Sequence, residues 1–348
     1  MDRPTRCWSG TRSSLCTVMG KNPRLSVVIP TRDTRALVLR CLESLERGGV
    51  PELDVVVVDD GGSDGTAEAI AARYPRARVL RNPVSRGFTR SANEGLKVAD
   101  GEVVLLLNSD TEVASGGLEA LLEELDLRPR MGIAGAALHY PDGSPQWSFG
   151  PAPTGRWLFA LASGLPPLLW RLPGYLAVRR RLHPGRGGGT DPRRVTWLTG
   201  AAMALRRRVI EEAGLLDERF EVYAQDLELC LRARDLGWEV WLIPRFQVLH
   251  HHGATIGADR RGSMLGRQAP EVLWRDLVRV VEKRQGEVAA ERAARALRWG
   301  LTLRIAARHV LRPFVGRARA PVWRDETRTL ERVCAAIGRG RSGASATG

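Results

Sequence analysis

Gly101-Glu-Val-Val-Leu-Leu-Leu-Asn-Ser-Asp-Thr-Glu112 is the segment from which the predicted fold follows. Val103 to Leu107 form a continuous apolar run, typical of a strand buried on both faces in a parallel sheet covered by helices. The run ends in polar residues that include Asp110. In open α/β sheets, ligands bind beyond the carboxyl ends of the strands. The segment therefore predicts a core strand that leads directly into a ligand site.

Asp110 has two alternative roles at the end of this strand. A carboxylate there suits a hard cation such as Mg²⁺ or Mn²⁺, which takes its other ligands from substrate phosphates and water. Alternatively, Asp110 only caps the helix that follows. The segment by itself leaves both roles open.

Strands and helices alternate along the first third of the chain. Apolar runs rich in β-branched residues predict strands at Leu25–Ile29, Asp54–Val58, Ala77–Leu80 and Val103–Leu107. Helical spacing predicts helices at Ala36–Glu46, Thr66–Tyr74 and Arg86–Val98. Short alternation of this kind predicts an α/β fold with a doubly wound, mostly parallel sheet flanked by helices. The turn between the first strand and the first helix lacks Gly-x-Gly-x-x-Gly, and no P-loop sequence Gly-x-x-x-x-Gly-Lys-Ser/Thr occurs, which counts against dinucleotide-binding and P-loop folds.

Carboxylates follow three of the predicted strands at the point where each strand ends. They are Asp33, the pair Asp59 and Asp60, and Asp110. One such carboxylate is ordinary turn chemistry. Because parallel strands gather their carboxyl ends at one edge of the sheet, three clusters together predict a site there.

The composition favours some classes of binding partner but does not identify a single one. The 348 residues carry a net charge of +14, which favours phosphate-bearing partners such as nucleotides, nucleic acid or anionic lipid. The five cysteines are scattered and odd in number, so they indicate neither a disulfide framework nor a zinc site. The N-terminus lacks the apolar run of a secretory signal. A cytoplasmic location is therefore expected.

Several motifs, taken in order, resemble the family 2 inverting glycosyltransferases, which are nucleotide-sugar enzymes of the GT-A fold. The similarity covers about residues 24 to 256, and it is greatest to the rhamnosyltransferase-like enzymes of bacterial cell-surface glycan assembly. The motifs are Val27-Val-Ile-Pro-Thr31, Val57-Val-Asp-Asp-Gly-Gly-Ser-Asp-Gly-Thr66, Arg86-Gly-Phe with Asn93-Glu-Gly95, Leu107-Asn-Ser-Asp-Thr111, Thr199-Gly-Ala-Ala-Met-Ala-Leu205, Gly214-Leu-Leu-Asp-Glu-Arg-Phe220 and Tyr223-Ala-Gln-Asp-Leu-Glu-Leu-Cys-Leu-Arg-Ala-Arg234.

The resemblance implies a role for each residue that matches these motifs. Asp226 is the implied catalytic base, and Asp110 and His250 are the implied ligands of Mg²⁺ or Mn²⁺. The implied nucleotide-sugar-binding residues are Pro30, Thr31, Asp33, Asp59, Asp60, Arg86, Asn93, Asn108, Gly200, Ala201 and Arg232. This chain departs from the family pattern twice, with Asn108 at the first position of the Asp-x-Asp motif and Gln225 before the base.

Three of these residues also have simpler interpretations. Asp226 starts a predicted helix, where a negative charge stabilises the helix dipole. His250 begins a run of three histidines, which is equally a polar loop. Arg232 is equally a surface ion-pair residue. The sequence leaves these alternatives open.

By resemblance, the chain transfers a sugar, with rhamnose as a candidate, from a nucleoside-diphosphate sugar to a hydroxyl. The acceptor is a glycan or a polyprenyl-diphosphate-linked sugar in cell-surface polysaccharide assembly. One alternative is a sugar-phosphate nucleotidyltransferase, but the usual glycine-rich loop with a basic residue is missing after the first strand. The other is a basic nucleic-acid-binding protein, but no nucleic-acid motif occurs, so nucleic acid is not an expected partner.

The chain divides into four predicted regions. Residues 1–23 are a disordered leader, with Met1 and Met19 as alternative starts, and residues 24–264 are a GT-A glycosyltransferase domain with an insertion at 150–194. Residues 265–337 form a basic helical C-terminal extension, and residues 338–348 form a disordered tail.

Two segments raise the question of a membrane. The apolar stretch from Trp157 to Trp170 is too short and too rich in proline to span a bilayer. It is either an interfacial segment beside the arginines that follow or a buried hairpin that closes the acceptor side. In the predicted helix Glu287 to Leu311, an apolar stripe of Ala290, Ala294, Leu297, Leu301 and Ile305 lies apart from Arg292, Arg295 and Arg298. This helix packs on the catalytic domain or lies on anionic lipid. We therefore expect a peripheral enzyme at the inner face of the cell membrane, with its anionic surface as a partner.

Overall fold

The computed structural model describes residues 23–164, 191–220, 222–251 and 270–339. Several predicted features lie outside the described residues. They are the leader up to residue 22, the arginines at positions 171 and 179–181 of the insertion, and the tail from residue 340.

A mixed β-sheet forms the centre of the described chain. Its strands are β1 (Leu25–Thr31), β2 (Asp54–Asp60), β3 (Arg78–Asn82), β4 (Val103–Leu107), β5 (Thr111–Val113), β6 (Met131–His139), β8 (Arg193–Arg194), β10 (Ala202–Arg206) and β11 (Glu239–His250). Two further short strands, β7 (Phe149–Gly150) and β9 (Trp197–Leu198), pair with each other. The order of the large sheet is β3-β2-β1-β4-β10-β6-β11-β5, and β8 pairs with β11.

The first half of the sheet is parallel and the second half is mixed. Strands β3, β2, β1 and β4 run parallel. Strand β10 is antiparallel to both β4 and β6, and β11 is parallel to β6. All five residues of β4 are buried, which confirms the predicted core strand. The mostly parallel α/β sheet is confirmed as well.

Helices cover both faces of this sheet and extend beyond it. They are α1 (Arg35–Arg47), α2 (Thr66–Arg73), α3 (Phe88–Val98), α4 (Gly117–Leu127), α5 (Gly155–Ser163), α6 (Arg207–Ala213), α7 (Gln225–Asp235), α8 (Pro270–Gln285), α9 (Glu287–Leu311) and α10 (Ala320–Arg339). A short 3₁₀ turn at Arg312–Phe314 follows α9. The helical C-terminal region was predicted, but α10 was not identified as a separate helix, and it extends two residues into the predicted tail.

Strand β1 is longer than predicted, because it continues through Pro30 to Thr31. Proline lacks the backbone N–H that a central strand normally donates. The pairing of β1 with β4 covers only Leu25 to Val28, so Pro30 lies beyond the last residue paired on that side. The sheet therefore tolerates this proline near the carboxyl end of β1, on the side where the sequence predicted a ligand site.

The described part of the apolar insertion is a helix packed in the core. Leu158 and Ala162 of α5 are fully buried. The helix packs against α9 where Gly300 faces the Phe159 carbonyl and Ala162. For these residues the buried alternative is therefore correct and the interfacial one is not, but the buried element is a helix and not a hairpin. Residues 165–170 lie outside the described part.

Helix α8 is fixed to the catalytic part of the chain by apolar and ionic contacts. Trp274 is buried in the core that also contains α7. At the other end of α8, the Lys283 ammonium donates to Asp217 at 2.8 Å and to Glu228 at 2.6 Å. The first helix of the extension therefore packs against the part of the chain that contains α7.

No helix among the described residues combines the length and the apolar character needed to cross a bilayer.

Gly95 allows the close contact of α3 with the sheet, and this contact predicts a stability effect. A Cβ at this position would overlap the Val28 side chain and lie 3.2 Å from a Val58 methyl. Gly95→Ala should therefore lower the free energy of unfolding by about 1–3 kcal/mol, measured by denaturant titration. Gly316→Ala is the control, because nothing lies within 4 Å of its added Cβ. In a Val28→Ala background the Gly95→Ala cost should shrink, and an unchanged cost would contradict the overlap.

Candidate active site

A cavity of about 400 Å³ lies beyond the carboxyl ends of β1 and β4, where the sequence predicted a site. The end of β11 and the start of α7 form its other sides. Nine of the predicted site residues line it, namely Pro30, Thr31, Asp60, Asn108, Asp110, Gly200, Ala201, Asp226 and His250. The fold thus gathers residues from positions 30 to 250 around one space.

Asp226 is held in a fixed orientation at the start of α7. One carboxylate oxygen, Oδ2, accepts a hydrogen bond from the Gly200 N–H at 2.7 Å, and Oδ1 accepts from the Leu227 N–H at 2.8 Å. A Cβ at Gly200 would lie 3.4 Å from the Cβ of Asp226, so a glycine favours this close approach. Ala224, just before the helix, has a left-handed φ of 65°. Such backbone strain in a non-glycine residue is common at functional sites.

Asp110 and His250 meet on another side of the cavity, and both are buried. His250 ends β11 and is the register partner of Thr111 in β5, which places its ring beside Asp110. The distance from His250 Nε2 to Asp110 Oδ1 is 3.2 Å, and Nδ1 lies 3.0 Å from Gln146 Oε1. If Nδ1–H donates to Gln146, Nε2 presents a lone pair on the same side as the Asp110 carboxylate.

These side chains fit a divalent cation. Two ligands about 2.1 Å from an octahedral ion lie about 3 Å apart, close to the 3.2 Å between Nε2 and Oδ1. The buried amide oxygen of Asn108 has no hydrogen-bond partner in the described chain, and a carbonyl oxygen is a suitable ligand or acceptor. A protonated His250 would also pair with Asp110, but that ion pair leaves Asn108 unexplained. No cluster of three or more His, Cys, Asp or Glu ligands occurs among the described residues, so substrate and water would complete the coordination.

Asp60 organises the loop that leads into α3. Its carboxylate accepts hydrogen bonds from the Arg86 N–H at 2.7 Å, the Ser85 hydroxyl at 2.7 Å and the Gly87 N–H at 3.0 Å. Burial raises the pKa of Asp60, but hydrogen bonds from the Arg86 backbone and from the side chains of Ser85, Ser91 and Asn82 together lower it more, and the pKa falls from 3.8 to about 2. The carboxylate therefore supports one wall of the cavity as well as lining it.

This lowered pKa predicts a pH effect on stability. A carboxyl whose pKa is lower in the folded state stabilises the protein above its unfolded pKa, and that stabilisation is lost as the pH falls. For Asp60 it amounts to about 2 kcal/mol above about pH 5, and about half of it should be lost by pH 3. Denaturant titrations of the wild type and Asp60→Asn should therefore converge as the pH falls from 6 to 3. A constant difference between them would contradict the assignment.

Asp33 and Asp59 lie near the ends of β1 and β2 but do not line the cavity in the described structure. Asp59 is the register partner of Thr31 and accepts from the Gly62 N–H at 3.0 Å. Asp33 accepts from the Ser63 N–H at 2.7 Å. Both side chains shape the loop after β2, and their roles in donor binding stay predictions. The same holds for Arg86, whose side chain pairs with Glu94.

Asn93 and Arg232 contact other parts of the protein rather than the cavity. The Asn93 amide donates to the Leu216 carbonyl at 2.9 Å and accepts from the Leu216 N–H at 3.0 Å. The Arg232 guanidinium pairs with Glu228 and donates to the carbonyls of Ala213 and Leu215. Both therefore hold the segment before α7, and neither lines the cavity in the described structure. These contacts are those of the ion-pair alternative for Arg232, and the roles of both residues in donor binding stay predictions.

The structure adds residues to the cavity that sequence reasoning missed. Gln146 contacts His250, and the buried Gln225 has an amide oxygen without a partner in the described chain. An apolar wall is formed by side chains from distant segments, namely Trp147, Trp157, Trp197, Leu273 and Leu277. Leu273 and Leu277 lie four residues apart in α8, a spacing that indicates a buried helix face. Nothing in the sequence connected that face to the site.

Comparison with known proteins agrees with this geometry. A family model described as Glycosyl transferase family 2 matches residues 26–213. N-acetylglucosaminyl-diphospho-decaprenol L-rhamnosyltransferase of Mycobacterium tuberculosis is 30% identical over 252 residues, which cover 68% of this chain and 78% of that protein. The match favours the glycosyltransferase hypothesis over the nucleotidyltransferase and nucleic-acid-binding alternatives.

Two solved structures share the fold. The mannosyltransferase PcManGT from Pyrobaculum calidifontis, in complex with GDP-Man and Mn²⁺, has a TM-score of 0.56 at 19% identity and covers 91% of this chain and 86% of its own. GalNAc-T7 with UDP, GalNAc and Mn²⁺ has a TM-score of 0.52 at 18% identity, covering 75% and 48%. These likenesses confirm the GT-A architecture. Together with the family match across more than half of its length, they lead to one conclusion: the chain belongs to glycosyl transferase family 2.

Proposed function

We propose that this glycosyltransferase moves a sugar, with inversion, from a nucleoside-diphosphate sugar to a hydroxyl of a lipid-linked glycan acceptor. The observation that carries the proposal is the arrangement of one cavity. Asp226 lies on one side, and Asp110 with His250 lies on another. A base and an anion-stabilising group on different sides of one space suit a single displacement at a sugar carbon.

Asp226 is the proposed base. It takes the proton from the acceptor hydroxyl as the oxygen attacks the anomeric carbon, while the bond from that carbon to the diphosphate breaks. The hydrogen bonds from Gly200 and Leu227 hold the carboxylate in a fixed orientation beside the cavity. Because attack and departure occur on opposite sides of the sugar, its configuration inverts.

Asp110 and His250, with Asn108 beside them, are the residues that would hold Mg²⁺ or Mn²⁺. Such a cation neutralises the charge that develops on the departing diphosphate. Pro30 and Thr31 at the end of β1 then lie where the nucleoside would bind. The Gln146 contact fixes the ring orientation of His250, which is how outer partners of metal ligands usually act.

The acceptor is proposed to be a polyprenyl-diphosphate-linked sugar, and the enzyme to work peripherally at a membrane surface. The name of the mycobacterial relative describes an acceptor of this kind and a rhamnose donor. The apolar wall of the cavity supports the proposal, because aromatic faces such as those of Trp147 and Trp157 suit sugar rings.

A binding and product assay tests the proposal. A set of nucleoside-diphosphate sugars is titrated by calorimetry with and without Mn²⁺, and the bound donor is then incubated with a polyprenyl-diphosphate acceptor in detergent. We expect donor binding that needs the cation, release of nucleoside diphosphate, and an inverted anomeric centre by NMR. Release of pyrophosphate would instead identify a nucleotidyltransferase, and a retained configuration would exclude the single displacement.

A further inference from the structure

One face of α9 exposes large apolar side chains together with arginines. Val288, Arg292, Arg295, Trp299, Leu303 and Val310 recur at intervals of three, four or seven residues, so they lie along one side of the helix. All six are exposed. Phe314, in the turn directly after the helix, is 84% exposed, and Trp299 is 70% exposed. We call these seven residues the outer face of α9.

The rest of the fold is packed on the opposite side of α9. Ala290, Ala293, Leu297 and Leu301 are buried there, and Gly300 contacts α5. Helix α10 also packs on that side, where Arg308 pairs with Glu326 and stacks on Trp323. The outer face is therefore not needed to hold the described helices together. Contiguous exposed apolar side chains often mark an interaction site.

The charges around this face identify its partner. Residues 287–339 contain twelve arginines and five acidic residues, so the segment carries a strong positive charge. Arg292, Arg295 and Arg298 are exposed and form no ion pair with described residues. A second copy of the chain, docked symmetrically, would bring these arginines against each other. An anionic bilayer instead attracts them, while tryptophan and phenylalanine enter the boundary between headgroups and acyl chains.

We propose that the outer face of α9 docks the enzyme on an anionic phospholipid surface. This inference makes the proposed peripheral membrane location specific, and it rests on that part of the proposed function only. Trp299, Leu303, Val310 and Phe314 enter the interface, and Arg292 and Arg295 contact the lipid phosphates. Since α5 packs on the inner side of α9 and contributes Trp157 to the cavity, docking holds the acceptor wall close to the membrane.

Vesicle flotation without donor or acceptor tests the inference. The full chain is mixed with vesicles of phosphatidylcholine alone, or of phosphatidylcholine and phosphatidylglycerol in equal parts. The wild type should float only with the anionic vesicles and should dissociate with added salt. Trp299→Ser and Phe314→Ser should each lower the partition coefficient about tenfold. Arg292→Gln and Arg295→Gln should each lower it about fivefold.

Matched variants separate this surface from general effects. Leu127→Ser removes a side chain that is 72% exposed outside this face, and Arg76→Gln removes an exposed charge between α2 and β3. Both should float like the wild type, and circular dichroism should show every variant folded. Equal losses in these controls, or wild-type flotation of Trp299→Ser with Phe314→Ser, would overturn the inference. So would a dimer that these two substitutions dissociate, because the face would then belong to a second copy.

Transfer in detergent distinguishes this inference from the proposed function. The outer-face variants should glycosylate a detergent-dispersed acceptor at the wild-type rate, since none of the outer-face residues lines the cavity in the described structure. A wild type that binds vesicles but transfers no sugar in detergent would contradict the proposed function and leave the docking surface intact.

Discussion

Asp226→Asn should bind the sugar donor normally but turn over about 10²–10⁴-fold more slowly, because an amide cannot accept the proton of the acceptor hydroxyl. The substitution keeps the side-chain size, and the amide oxygen can still accept from the Gly200 N–H. Calorimetry with the donor and initial rates with the acceptor would measure the two effects separately. An unchanged donor affinity with a reduced turnover would identify a group that acts in the transition state.

The same helix provides the control for this prediction. Asp235 lies at the other end of α7, where it pairs with Arg284, so Asp235→Asn should keep the wild-type rate. Normal turnover in Asp226→Asn would mean that another group is the base. Asp217 and Glu228 are poor replacements, because Lys283 contacts both and Arg232 contacts Glu228. Glu221, another acidic residue near Asp226 in the sequence, lies outside the described residues.

Asp110→Ala should abolish cation-dependent nucleotide binding while the protein stays folded. The carboxylate is the only acidic side chain at the contact with His250 among the described residues, so its loss removes the charged ligand. We expect donor affinity in Mn²⁺ to fall by about 100-fold or more, toward the value measured with chelator. Calorimetric titration of the nucleotide in both conditions would measure this difference.

Two further variants serve as comparisons for the loss of nucleotide binding in Asp110→Ala. They are His250→Ala and Asp126→Ala. Loss of the neutral ligand should weaken binding less than loss of the carboxylate, and His250→Ala should still respond to Mn²⁺. Asp126 is an exposed acid paired with Arg24, so its removal should leave binding unchanged. Full activity of Asp110→Ala in excess chelator would exclude the metal role, and Asp110 would then be a structural residue.

The parallel half of the sheet could be predicted because its strands are locally distinctive. Val103–Leu107 and the Val56–Val58 part of β2 are uninterrupted apolar runs, buried on both faces. The other half was harder to see. Strand β6 contains small residues such as Gly132 and Gly135, where Trp238 and Leu198 fill the space that a Cβ would occupy. Its stability comes from these partners, which lie far away in the sequence, so the local pattern was weak.

Site residues at the ends of strands could be predicted from the sequence. Residues inside a helix were harder to place, because their position depends on how the helix is oriented. Asp60, Asp110 and His250 follow from strand ends and motifs, and all three line the cavity. Asn93 lies in a similar motif, but its amide is bound to Leu216, 123 positions later. The direction in which a helix presents a side chain depends on partners that come from distant positions. No property of Asn93 itself distinguishes a ligand contact from such a structural contact.

The pairing of Lys283 with Asp217 and Glu228 has a consequence for the order in which the chain acquires activity during synthesis. Chains grow from the N-terminus, and domains fold as their residues emerge from the ribosome. Lys283 lies 55 positions after Glu228, and until it emerges the buried Glu228 lacks one of its two cationic partners. Leu273 and Leu277, which close one wall of the cavity, are equally late. The nascent protein therefore carries its base before it has a closed site, and catalytic competence waits for α8.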